Sequence, residues 1–269
     1  ENLKQIAQMG SYTVYEHQKD MSVAPSYASV AYFMHEMNVR KRQVLCCLNG
    51  TSVRVQAGAM QWTAGSVESE TGVKGVGDFL GKALKGAVTN ESAVKPVYNG
   101  WGYLMLEPTY NYIILEDVAT WGSGIVLDDG MFLACDAGLN ETVVARNSVS
   151  SALLGGEGLF NLSLSGQGIA VLESPVPREE LFDVVKIDGN MAVAWSSSLQ
   201  FTVEKSSKSL LGSAVNGEGF VNVYRGSGRI LMAPTVNGTT MSTSNSPKQN
   251  AGVSSKGLVS SIAKSALDL

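Results

Sequence analysis

A pair of glycines separated by one residue recurs three times in this chain, and the residues around it recur too. Gly100-Trp101-Gly102, Gly166-Gln167-Gly168 and Gly226-Ser227-Gly228 follow one another at nearly equal intervals. Each is preceded by a stretch that opens on a glutamate: Glu91, Glu157 or Glu218. Each leads into an apolar run, Tyr103–Leu106, Ile169–Leu172 or Arg229–Met232, which stops at Pro108, Pro175 or Pro234. Glycine adopts positive φ without a Cβ penalty, so these six glycines read as turn or bulge positions rather than a ligand cradle. A second feature recurs in phase: Asp129-Gly130 ahead of Met131–Ala134, and Asp188-Gly189 ahead of Asn190–Ala194. Asp-Gly is a hairpin signal when an apolar strand follows.

Each unit therefore reads as two hairpins with one apolar face, which a single unit cannot bury alone. Packing three together solves that problem. The expectation is an all-β fold of three related β-sandwich-like modules in a pseudo-threefold arrangement. Units of this length, several strands each, exceed the usual solenoid periods, so a solenoid is not expected. The boundaries fall at residues 30–110, 111–176 and 177–236, after an N-terminal extension of residues 1–29. In that extension Glu1 to Gln8 reads as a short helix. Gln43–Leu48 and Thr51–Val55 flank Asn49-Gly50 and read as a hairpin. Phe79, Leu80, Ala83, Leu84, Ala87 and Val88 mark an amphipathic helix over residues 77–88. Residues 237–255 have linker composition, and Leu258, Ile262 and Leu269 suit a short C-terminal helix.

Charged residues make up 16% of the 269, below the ~25% of an average globular chain. With 29 glycines, this suits short strands and tight turns. The net charge of −4 and a pI near 5.3 give no broad pull toward nucleic acid. Cys46, Cys47 and Cys135 form no disulfide framework and read as reduced thiols of a cytoplasmic protein. Neither a signal peptide nor a membrane-spanning run is visible. The glycosylation-like triplets at Asn49, Asn90, Asn140, Asn161 and Asn237 read as chance matches.

Little here points to catalysis. His17 and His35 are the only histidines, and no Gly-X-Ser-X-Gly elbow exists. The Gly75-Val76-Gly77 … Gly81-Lys82 run fails the phosphate-loop spacing, and Ala83 replaces the magnesium-binding hydroxyl. Ser92–Lys95 and Ser261–Lys264 match Ser-X-X-Lys without a Lys-Thr-Gly. Asp128-Asp129 and Glu116-Asp117 read as solvated turn residues, not metal ligands. No cofactor or metal is expected, and the chain reads as a non-enzyme. Arg40, Lys41 and Arg42 form the one basic cluster, with Tyr27, Tyr32 and Phe33 ahead of it. It is a candidate nucleic-acid contact, since cations can meet phosphate while aromatics stack bases. The favoured interpretation is an exposed turn kept polar.

Several of these segments resemble a known family. They are Ala57-Gly58-Ala59-Met60, then Asn90-Glu91-Ser92, and Gly155-Gly156-Glu157-Gly158-Leu159-Phe160 with its Gly166-Gln167-Gly168. Gly217-Glu218-Gly219 with Gly226-Ser227-Gly228 completes the set. The resemblance is to the mitochondrial-biogenesis family named for altered inheritance of mitochondria, protein 24, which has many bacterial members. It spans roughly Val30 to Pro234; the first module departs, with Ser92 in place of glycine and Trp101 inside its glycine pair. The resemblance implies three β modules similar to the subunit of the tryptophan-RNA-binding attenuation protein. It implies neither RNA binding nor catalytic residues. The expected function is a non-enzymatic assembly, scaffold or partner-binding role in a bacterial-type cytoplasmic member. A homo-oligomer with the tail helix contributing is expected. The alternative is an RNA- or nucleotide-binding module.

Overall fold

Tyr12, Val14 and Glu16 alternate with less buried neighbours, the period of a strand with one face on a core. In the computed structural model, which describes residues 2–71, 95–145, 160–184, 191–205 and 220–234, that alternation governs the N-terminal segment. Leu3–Met9 (β1) and Tyr12–His17 (β2) form an antiparallel hairpin around Gly10, whose φ is +54°. The helix expected from Glu1 to Gln8 is thus a strand. Pairing with β2, whose Tyr12 and Val14 are fully buried, overrides a weak local helical preference.

β2 pairs with the 14-residue strand Arg42–Val55 (β3). The hairpin expected at Asn49-Gly50 does not form. Gly50 has φ +73°, and the register slips between Asn49 and Thr51 against the long strand Val97–Leu106 (β5). The positive φ that suits a tight turn also suits a β-bulge, and β5 accompanies both halves of β3. The chain bends there and continues. Met60–Glu70 (β4), in chain order between β3 and β5, lies on the other side of β5.

The remaining strands are Tyr112–Asp117 (β6), Ile125–Leu127 (β7), Phe132–Asp136 (β8), Asn140–Ala145 (β9) and Phe160–Ser165 (β10). Ile169–Ser174 (β11), Phe182–Val184 (β12), Ala192–Ser196 (β13), Gln200–Lys205 (β14), Phe220–Arg225 (β15) and Ile230–Met232 (β16) follow. One eight-stranded sheet runs β1-β2-β3-β8-β11-β6, with β5 beside β3 and β4 beside β5. A six-stranded sheet runs β12-β16-β13-β7-β10-β9, and β14 pairs with β15. Every described ladder is antiparallel. The fold is all-β, as expected.

Asp129-Gly130 makes its turn, with Met131 N–H donating to Asp128 O at 3.2 Å and Gly130 at φ +77°. It is not a hairpin, however, because β7 and β8 belong to different sheets. The turn hands the chain from one sheet to the other.

The second and third glycine pairs sit between β10 and β11 and between β15 and β16. Around them the pairing recurs from one unit to the next. Ala170 opposite Cys135 returns as Ile230 opposite Trp195, and Leu172 opposite Phe132 as Met232 opposite Ala192, with the same register slip. A side chain caps the same backbone group in both: Ile169 N–H donates to Asp136 Oδ2 at 2.8 Å, and Arg229 N–H to Ser196 Oγ at 3.0 Å. The first pair lies inside β5 without chain reversal. Even so, Gly100 and Gly102 hold φ of +124° and +153°, close to the +115° and +154° of Gly166 and Gly168. Side chains are excluded there for a second reason. A Cβ on Gly100 would overlap the Ser66 carbonyl oxygen of β4, and one on Gly102 that of Ala64.

Three apolar clusters fill the interior. Trp121, Ile125, Leu127, Leu164 and Leu172 centre the first, and Tyr12, Leu48, Val53, Leu104 and Leu106 the second. Trp195, Tyr224 and Ile230 centre the third, where Trp195 stacks on Phe201 at 5.7 Å. Each fully buried leucine contributes roughly 1.5–3 kcal/mol. Among the described residues the one α-helix is Ala28–Glu36 (α1), and no helix is long and apolar enough to cross a membrane. The helix expected over residues 77–88, Asp188-Gly189, and residues 237–269 lie outside the described residues.

Candidate functional site

The β2–β3 register places Glu16 directly opposite Arg42, on the face that buries Tyr12 and Val14. The pairing brings Arg40 and Arg42 against a carboxylate, Glu16, from the strand before them. Glu16 Oε2 lies 2.9 Å from Arg42 Nη2, and its Oε1 lies 3.0 Å from Arg40 Nη1. Arg42 is 2% exposed, so it is a core residue and not part of an exposed polar turn. Its guanidinium lies 4.0 Å from the centre of the Tyr112 ring and also donates to Asn38 O at 3.2 Å. Arg40 Nε is buried without a partner.

Lys41 turns the other way. Its Nζ sits 2.9 Å from Asp20 Oδ2 and donates to Ser22 Oγ at 2.8 Å. Tyr110 Oη donates to the same Asp20 oxygen at 2.7 Å, and Ser22 Oγ donates to Asp20 Oδ1 at 2.6 Å. Burial raises the Asp20 pKa, but the hydrogen bonds from Ser22, Lys41 and Tyr110 outweigh it and hold the carboxyl below the usual carboxylate range. Burial and the Asp20 charge push Tyr110 up to about 12.

Beside this network runs a groove of about 360 Å³. One wall is polar: His17, Asp20, Ser22, Arg40, Lys41 and Tyr110. The other is mostly apolar and belongs to α1 and the turn before it, with Tyr27, Val30, Ala31 and Met34. The two histidines, His17 on β2 and His35 on α1, both line it. His17 Nε2 is 2.6 Å from Gln43 Oε1. The helix ends where Asn38 takes φ +61°, a left-handed stop that asparagine tolerates, and its N–H donates to His35 O.

α1 buries none of its nine residues. Val30, Tyr32 and Phe33 within it, Tyr27 before it and Met37 after it are each more than half exposed, Phe33 at 66% and Met37 at 76%. Pro25 opens the preceding 3₁₀ turn, which fixes where the ridge begins. Nothing in the alternation of apolar residues announced this helix, because its sequence is apolar almost throughout.

Elsewhere among the described residues the reactive groups are shielded. Burial pushes the thiols of Cys46 and Cys135 up to about 12, while Cys47 faces the opposite side of β3 and is half-buried. Glu116 is not the solvated turn residue expected. It is buried, accepts from Trp121 Nε1 at 3.2 Å and pairs with Arg178 Nε at 3.3 Å. Asp117 accepts from Ala119 N–H at 3.0 Å at the start of a 3₁₀ turn. Asn161 is also buried, donating to Leu127 O at 2.9 Å. Among the described residues no three histidine, cysteine or carboxylate side chains cluster as a metal site. Gly100 and Gly102 face the β4 backbone, the second and third pairs face turn residues such as Leu139 and Leu199, and none of the six lines the groove. Glu16, Asp20, Tyr110 and Tyr112, which organise the basic cluster, were not singled out from sequence. The signal for Glu16 was the period-two run Tyr12-Thr13-Val14-Tyr15-Glu16, which places it on the inward face.

Fold and site together define an antiparallel all-β protein whose basic cluster is neutralised from within and whose helix α1 presents an exposed apolar ridge. The chain belongs to the mitochondrial biogenesis family AIM24, whose match covers residues 36–235. Among solved structures it is similar to the crystal structure of SPYM3_0169 from Streptococcus pyogenes. The two share 26% identity and a TM-score of 0.55, over 75% of this chain and 90% of that one. No curated protein matches.

Proposed function

We propose that this chain is a non-enzymatic partner-binding protein, and that the α1 ridge and its groove receive an apolar segment of another protein. The observation that carries it is a helix with no fully buried residue, whose Val30, Tyr32 and Phe33 are each more than half exposed while Ala31 and Met34 line the groove. So short a helix is marginal in water, and a contiguous apolar surface of this kind marks an interaction site. The occupant is argued from charge. Arg40, Lys41 and Arg42 already meet Glu16 and Asp20, so the groove offers apolar contact in place of an open cationic seat. That pairing also removes the main support for an RNA- or nucleotide-binding role. The shielded thiols support a non-catalytic role, since a nucleophilic cysteine needs a lowered pKa. The same proposal treats the three glycine-marked units as equivalent modules in a pseudo-threefold body, supported by the shared register of the second and third and the shared φ values of the first. The family's mitochondrial-biogenesis description frames the process, with assembly as the activity.

The test is photocross-linking in host cells from a reactive residue at Phe33, with the exposed Thr51 as control. The expected result is one discrete adduct from position 33, and a stoichiometric complex of the purified pair that Y32S/M37S weakens at least tenfold without lowering Tm. Equal adducts from both positions, or none from 33, would refute it.

A further inference from the structure

Among the described residues β4 is an edge strand that lacks the usual protection. It is 11 residues long and pairs with β5 along one side; no described strand pairs with its other side. From Met60 to Ser66 every residue is exposed, on both faces alike, so this stretch stands clear of the core, while the next residue, Val67, packs partly buried against it. On the other side of β4 the backbone N–H and C=O groups pair with no described strand, and such a row is a template for another strand. Natural edges are usually blunted with lysine, proline or brevity. β4 contains no lysine, arginine or proline, and its only charges are Glu68 and Glu70 near one end.

We infer that two copies of this chain join through β4, antiparallel and edge to edge, about a twofold axis at Gly65. The charge pattern selects both the partner and the direction. In this register Ala64 faces Ser66 of the second copy, Trp62 faces Glu68 and Met60 faces Glu70. Each carboxylate meets an uncharged side chain. A parallel in-register pairing would set Glu68 on Glu68 and Glu70 on Glu70, and like charges directly opposite are destabilising. The centre of the axis is small, Ala64-Gly65-Ser66, which lets two backbones approach. The adjoining strand adds apolar surface. Tyr103 pairs with Ala64 and Trp101 with Ser66, and these rings are 49% and 66% exposed. Joining two copies makes one continuous strip of Trp101, Tyr103 and Trp62 across the axis. This surface is separate from the α1 ridge, so the inference holds or fails independently of the proposal above.

The test is the mass of the full chain by analytical ultracentrifugation across a concentration series. The expected result is a concentration-dependent species of twice the 28.4 kDa chain. A64K/S66K sets lysine against lysine across the axis at two exposed positions and is expected to abolish that species with Tm unchanged. In a Cys47→Ser background, A64C/S66C is expected to oxidise to a covalent dimer whose bridges join position 64 of one copy to 66 of the other. This readout stands even where the lysine variant folds poorly. A monomer at every concentration, a dimer that survives A64K/S66K, or bridges joining 64 to 64 and 66 to 66 would each overturn the inference. Recovery of β4 paired only with a strand of a different protein would overturn it as well.

Discussion

Replacing Glu16 by glutamine is expected to be among the most damaging polar substitutions in this chain. The glutamine keeps the shape and removes the charge. Arg42, 2% exposed, then retains carbonyl acceptors and the Tyr112 ring, but no counter-charge within reach at the 2.9 Å site. Breaking a buried pair by removing one partner costs about 3–5 kcal/mol, because the stranded charge stays desolvated. Arg40, 24% exposed at its side chain, adds under about 1 kcal/mol as a partly solvated pair. At roughly 2–4 °C per kcal/mol for a chain of this size class, Tm should fall by about 6–20 °C. The measurement is thermal and urea unfolding of wild type, E16Q, R42M and the double variant. Because R42M removes the charge that E16Q strands, the double variant should lose clearly less than the sum of the two singles. A loss below about 1 kcal/mol in E16Q, or additive singles, would mean that the pair is screened by solvent and that the basic cluster is not held from within.

Two further outcomes are expected. Gly102→Ala should destabilise more than Gly166→Ala. Both positions have positive φ, costing about 1–3 kcal/mol, but only at Gly102 does the Cβ overlap a β4 carbonyl, while at Gly166 the nearest atom is a Leu139 methyl at 3.6 Å. Equal losses in urea unfolding would refute this. Asp20→Asn should reshape the acid limb of the stability profile. A carboxyl held below its ordinary 3.8 contributes stability that is complete above that value and is lost as pH falls through it toward the folded pKa. The gap between wild type and D20N should therefore be widest near neutrality and narrow below about pH 4. A gap independent of pH would show that Asp20 is not held by Ser22, Lys41 and Tyr110.

Five of the six paired glycines, all but Gly228, were legible from sequence because a demand for positive φ is local. It acts on one residue whatever lies across the sheet, and Gly100, Gly166 and Gly226 meet it at +124°, +115° and +124°. The strand class and the strand ends before Pro108, Pro175 and Pro234 follow for the same reason. Asn49-Gly50 and Asp129-Gly130 mark the limit of that logic. Both take the positive φ their residues favour, yet one became a bulge and the other a crossing between sheets. Where the chain goes after a turn depends on which strand is available to pair, and β5 and β11 are supplied from far along the sequence.

The candidate site was the least legible part. Arg40-Lys41-Arg42 stood out as a basic run, and nothing local marked Arg42 as buried. Its partner Glu16 comes from the far side of α1 in the chain, brought opposite only by the antiparallel register of β2 and β3. The second carboxylate, Asp20, is held with the help of Tyr110 from a third segment. By itself the sequence determined the positive-φ positions of its glycines, the predominantly strand character and the family, but not the strand β1 or the helix α1. Tertiary structure alone decided which charges are neutralised, which helix is left uncovered and which strand edge stays open. Those depend on pair distances between remote residues, and a register shift of one position would have turned Glu16 to the other face.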